Sequence, residues 1–361
     1  MRKAETERIY LVNKFAKLAG RVKNDIAYSI PYSGKTDAVA PHDNNQPVLL
    51  DTAIGSQNTG DQIIMGFVNE HLSKFMDTEN AIRIPTHVMD PDVYTPDVLN
   101  RAKILCGTNA LFSDFDLHPS ISLPASPRWY SHQVVLMAVG MRSTKRAPHF
   151  DFLTAKILQN LLSPDYLHSV RDEHTRTELA RIGIDNVINT ACVTMWNLTE
   201  KFCEDIPVSK AENVLTTITD YDFDPVNDEY MLQTLGHNYR HVYLWLQGSG
   251  DKEKLQEINL PSNIQFIENG LDGLRTVIAE EPDLEYFGTR LHCGIYCLNH
   301  HLRSMIVSID NRADDIASDT NLPIVKRTEI RDAMGTLINR DRRTQIRIPE
   351  ENIHTWINQF K

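Results

Sequence analysis

No run in this 361-residue sequence approaches the roughly 18 consecutive apolar residues of a membrane-spanning helix. The first thirty residues have no apolar core of the kind a secretory leader carries, so no signal peptide is expected there. Cysteine is sparse: Cys106, Cys192, Cys203, Cys293 and Cys297, odd in number and without a C-x-x-C pair. This excludes a disulfide framework and fits reduced thiols of a cytoplasmic protein. Cys293 and Cys297 lie near His292, His300 and His301, but zinc ligands come as two separated pairs, and no metal is expected. Basic residues are too few for a protein that coats polyanions: 37 Lys and Arg against 48 Asp and Glu give a charge of −11. Nucleic acid is therefore not an expected partner, although a small cationic pocket for an anionic ligand stays compatible. G-x-S-x-G, H-E-x-x-H, G-x-G-x-x-G and the Walker A pattern are all absent, against elbow hydrolases, zinc proteases, dinucleotide dehydrogenases and P-loop enzymes. No repeat or low-complexity stretch is present.

Residues at 41% hydrophobic and 24% charged give a globular chain, long enough for two domains. The opening residues read as a helix, and 29–47 as a turn-rich connector. From there apolar strands alternate with amphipathic helices. PVLLDTA, AIRIPTHV, KILCGTNALF, QVVLMAVGM and DYLHSVRD read as strand segments, and EHTRTELARIG as a helix closed by Gly183. A second series starts near Asn213 with NVLTTITDY, HVYLWLQG, IQFIENG, LEYFGTR and RSMIVSIDN, and the remainder reads as helical. Such alternation predicts an α/β protein with parallel, doubly wound sheets: two Rossmann-like domains facing a cleft. The expected division is 1–46 for the helix and connector, 47–200 for the first domain and 201–361 for the second, with 198–212 as linker.

Four junctions carry chemistry. Loop 56–61, S-Q-N-T-G-D, follows a strand and precedes a helix, the place where open α/β sheets bind ligands. Gly60 permits a tight turn, the helix start offers N–H groups to an anion, and Asp61 is either the helix cap or a working carboxylate. Arg171, in S-V-R-D-E-H-T, ends a strand. It either reaches into the cleft or pairs with Asp172 or Glu173, Asp172 being a helix cap. Arg290 and His292, in G-T-R-L-H-C-G, would combine an anion clamp with a proton donor if they share a side of an extended segment. Arg312 ends the strand of S-I-D-N-R-A.

Taken together, LLDTAIGSQNTGDQIIM, ILCGTNALF, VVLMAVGM, SVRDEHTRTELARIGI, YFGTRLHCGIYCL and MIVSIDNRA resemble the polysaccharide pyruvyl transferase family, in family order over residues 47–325. TTITDY and YLWLQGSGD resemble its second domain. The resemblance implies a GT-B-like pair of Rossmann-like halves. It also implies transfer of pyruvate from phosphoenolpyruvate to two hydroxyls of a sugar, forming a ketal in exopolysaccharide or cell-surface glycan synthesis. It gives His292 as the acid and Asp61 as the base, with Arg171, Arg290, Arg312, Asn58 and Gly60 holding phosphoenolpyruvate. No cofactor is implied, phosphoenolpyruvate being the donor substrate. The implied partner is a saccharide acceptor, free or lipid-linked; the sequence leaves the oligomeric state open, a homo-oligomer included. The implied location is the cytoplasm or the inner face of the membrane. The chain departs from the family at Cys106-Gly107-Thr108-Asn109, which has a single glycine, and at residues 189–194, which lack the usual Gly and Pro. Two other readings stay open: a GT-B-type glycosyltransferase using a sugar nucleotide, and a non-catalytic sugar- or anion-binding protein.

Overall fold

Short, mostly buried strands organise the chain. A computed structural model describes residues 23, 26–32, 46–88, 90–114, 121–124, 126–143 and 147–361. The opening helix and most of the connector lie outside the described residues. Strands β1 (Val48–Asp51), β3 (Lys103–Cys106) and β5 (Val134–Met137) are buried at every position, as parallel strands covered on both faces are. With β2 (Ile82–Pro85) they form a parallel sheet in the order β2-β1-β3-β5. Leu111–Phe112 (β4) and Met141–Arg142 (β6) form a small separate pair. A bridge from Val139 to Val170 leads on to β7 (His168–Val170), which pairs with β8 (Val187–Asn189).

The second sheet is also parallel. It contains β9 (Asn213–Thr216), β10 (Val242–Trp245), β11 (Ile264–Ile267), β12 (Leu284–Gly288), β13 (Ser304–Ser308) and β14 (Ile324–Lys326). Their order, β11-β10-β9-β12-β13-β14, runs outward from β9 in both directions, as in a doubly wound sheet. The mixed α/β fold with parallel sheets is the one the alternation predicts. The expectation that everything after β13 is helical is corrected by β14, a three-residue strand.

Nine longer helices accompany the sheets: α1 (Thr59–Leu72), α2 (Phe152–Leu161), α3 (Glu173–Arg181), α4 (Pro225–Asn238), α5 (Leu271–Glu280), α6 (Leu291–Asn299), α7 (Asn311–Thr320), α8 (Ile330–Asn339) and α9 (Glu350–Asn358) among the described residues. Gly183 follows α3 with φ +80°, the left-handed C′ position expected for it. One core cluster joins Ile64 and Val68 of α1 to Ile295 and Leu298 of α6 and Trp356 of α9. Helix α9 thus returns to the first sheet's side. Trp356 meets Trp196 edge-on, and Gln359 exchanges two hydrogen bonds with the backbone of Leu167. The expected linker 198–212 is more than a tether: it holds a helical turn, Glu200–Cys203, and buries Cys203 and Ile206.

Candidate active site

Helix α1 begins earlier than its apolar pattern suggested. Its cap is Asn58, whose Oδ1 accepts the Gly60 N–H at 3.0 Å. Asp61 is therefore not the cap but lies in the first helical turn, and the Gly60 N–H already has a partner. Asn58 Oδ1 also accepts from Gln247 Nε2 at 2.8 Å, and Thr59 N–H donates to the Gln247 carbonyl. The loop is stitched in this way to the end of β10 in the second sheet, with Asn58 and Gly248 forming a bridge.

Asp61 is buried and accepts from Ser56 Oγ at 2.5 Å, with His87 Nε2 at 3.9 Å. Burial raises its pKa, while Ser56, His87 and Arg312 pull it back. Arg312 starts α7 behind its cap, Asp310. It grips that carboxylate through Nε and Nη2 and donates to the Tyr221 hydroxyl.

His292 lies in the first turn of α6, with Nε2 3.8 Å from Cys192 Sγ. Burial, then the charges of Arg312 and Arg171, lower its pKa to about 3 against the opposite pull of Asp310. The unliganded imidazole is neutral at physiological pH. Arg171, 1% exposed, donates from Nε to Asp172 at 3.1 Å and from Nη2 to Asn109 Oδ1 at 2.8 Å. Asp172 also caps α3 through Thr175 N–H. The pairing of Arg171 with Asp172 is thus real but buried rather than a surface contact. Gly140 makes room for it, since a Cβ there would run into the guanidinium.

Asp61, Arg171, His292 and Arg312 thereby share one electrostatic neighbourhood, drawn from the ends of β1, β7, β12 and β13. Arg290 is differently employed. Its Nη2 donates to Asp220 at 2.8 Å and Asp251 at 2.6 Å, and its Nε donates to the Ile218 carbonyl at 2.8 Å. Arg290 caps α6 while His292 sits inside it, so the two do not share the side of an extended segment. The Nε and Nη2 of Arg290 are thus already engaged by a carbonyl and two carboxylates. Its guanidinium and that of Arg312 lie 5.4 Å and 5.6 Å from the centroid of the Tyr221 ring.

A family model of polysaccharide pyruvyl transferases matches residues 58–311, well over half of the chain, a span that takes in Asn58, Asp61, Arg171, Arg290 and His292 and ends one residue before Arg312. The chain belongs to the polysaccharide pyruvyl transferase family. No curated protein and no solved structure matches it.

For this pyruvyl transferase family member, sequence reasoning missed the residues that aim the arginines: Asn109, Asp220, Asp251, Asp310, Tyr221 and Gly140. Asp251 closes YLWLQGSGD and Asp220 lies in TTITDY, so both sat inside recognised blocks. Their pairing with Arg290 across some 70 and 39 positions is visible only in the fold. Asn109 belongs to the departing segment C-G-T-N, where Gly107 and Thr108 both have positive φ and turn the chain toward Arg171.

Proposed function

We propose that this protein transfers pyruvate from phosphoenolpyruvate to two hydroxyls of a saccharide, forming a cyclic ketal and releasing phosphate. The reading takes residues 47–200 and 201–361 as Rossmann-like halves of a GT-B-like enzyme facing a cleft, working in the cytoplasm. The observation that carries it is the neighbourhood of two guanidiniums, Arg171 and Arg312, around the neutral His292, with Asp61 beside Arg312.

Phosphoenolpyruvate brings a phosphate and a carboxylate, which two arginines match. His292 is held neutral first by burial and then by the charges of Arg312 and Arg171, and the donor's negative charge offsets that second part and favours proton uptake by the imidazole as the donor binds. That proton passes to the methylene carbon C3, leaving an electron-poor C2. One sugar hydroxyl attacks C2 and gives its proton to Asp61. The C2–O bond to phosphate then breaks, the second hydroxyl adds to C2, and its proton leaves with phosphate. General acid and base terms contribute about 10²–10⁴-fold each, with positioning supplying the remainder.

The test pairs phosphoenolpyruvate with a panel of β-galactosides, mannosides and glucosides and follows phosphate release. The expected outcome is release with at least one acceptor, lost in His292→Ala while the thermal transition is kept. Near-normal turnover in that variant removes His292 from the acid's role. Thermal stabilisation by a sugar nucleotide and not by phosphoenolpyruvate overturns the donor.

A further inference from the structure

Helix α1 carries a glycine in its interior, Gly66, and nothing lies within 4 Å of where its Cβ would be. Glycine is among the poorest helix formers, and no packing inside the protein calls for one here. Gly66 instead forms the floor of a cavity of about 660 Å³, with Gln62 and Glu70 one turn to either side on the same helix face. That volume falls in the usual range for small-ligand sites, about 300–1,000 Å³.

The walls are aromatic and amide. Phe202, Tyr296 and His300 line them, with the Tyr296 and His300 rings 4.3 Å apart. Asn197 donates to Glu70 Oε1 at 2.9 Å. Asn299 donates to two backbone carbonyls, yet its Oδ1 is shut from solvent and accepts nothing among the described residues. One carboxylate, Glu70, and one guanidinium, Arg275, leave the lining without a net charge to select an anion. The exposed amide of Gln62, which can donate and accept, beside flat ring faces, suits hydroxyls on a carbon ring. Gln62 also lines an adjoining cavity of about 390 Å³, which Ser56 borders. Ser56 donates to Asp61, so the groove leads toward the proposed base.

We propose that the groove over Gly66 is a subsite for a neutral oligosaccharide, holding sugar units of the acceptor beyond the one that reacts. It rests on the pyruvyl transfer reading for its direction, though its binding is measurable without turnover.

Saturation-transfer NMR on the whole protein, with mono- to tetrasaccharides of β-galactose, mannose and glucose, tests it. At least one tetrasaccharide is expected to bind about tenfold tighter than its monosaccharide. Gly66→Trp, which fills the floor, should bring the tetrasaccharide down to the monosaccharide value, and Gln62→Ala, an exposed change, should weaken it several-fold. A cooperative thermal transition without ligand, at the temperature of the unaltered protein, reports that each variant is folded. Affinity independent of chain length, no binding by any saccharide of the panel, or unchanged affinity in both variants overturns the subsite. If saccharides bind as expected and phosphoenolpyruvate does not stabilise the protein, the donor reading falls and the subsite stands.

Discussion

Arg171 and Arg290 are both buried arginines at strand ends, and burial alone does not tell them apart. What separates them is the number of carboxylates each meets. Arg171 has one, Asp172, which is also occupied in capping α3. Arg290 has two, Asp220 and Asp251. Arg290→Ala therefore leaves two acids unpaired, Asp251 wholly buried, and should lower the unfolding free energy by about 3–5 kcal/mol in urea titration. Arg171→Ala and Arg312→Ala should instead weaken phosphoenolpyruvate binding by about 2–5 kcal/mol in calorimetry. Unchanged donor affinity would remove either residue from the clamp. Gly140→Ala should mimic the Arg171 loss, because the added methyl displaces the guanidinium. For His292, held near pKa 3 without ligand, calorimetry at pH 7 in buffers of different ionisation enthalpy should register proton uptake on donor binding. Equal heats in all buffers would mean that the imidazole stays neutral. The strand-end arginines could be read from sequence because their position follows from local alternation. Which of them is neutralised could not, since the acids that decide it are distant in the chain.

The start of α1 shows what a helix terminus adds to side chains. Asn58 satisfies the first-turn Gly60 N–H and accepts from Gln247 with the same oxygen. Asn58→Ala should thus cost more than the ~1 kcal/mol of an ordinary cap, measured by chemical unfolding, because Gln247 also loses its acceptor. A loss below that figure would make the contact to Gln247 dispensable. Other elements were readable to different degrees. β5 announces itself as an unbroken apolar run, and β1 and β3 as apolar triplets flanked by Asp51 and Lys103. β8 and β14 escape notice because, unlike the equally short but wholly buried β7, each is only partly buried, and β14 has an exposed Lys326. The cap was misjudged for a different reason: Asn, Thr, Gly and Asp in a row all suit a helix start, and only backbone geometry chooses among them.

Three histidines, His71, His168 and His292, are held neutral chiefly by burial, with pKa values of about 4, 4 and 3. Each lies below the ordinary 6.5, so the unfolded chain binds more protons than the folded one between those values. Their contribution is complete above pH 6.5 and is lost progressively as pH falls toward 4. The melting temperature should accordingly fall steeply from pH 7 to 5. Replacing His168 with a neutral residue that keeps the fold should flatten that slope, and an unaltered slope would assign the acid sensitivity elsewhere.

The polypeptide passes from the first sheet to the second through residues 198–212 and comes back through 340–350 to seat α9. The outgoing and returning strands of chain run side by side: Arg342 N–H donates to the Val208 carbonyl at 3.0 Å, and Glu200 faces Arg347 at 4.0 Å. The two sheets are thus tied by two lengths of chain that are bonded to each other, not by a single tether. Removing α9 would free the returning length and take with it the packing of Trp356 against Trp196.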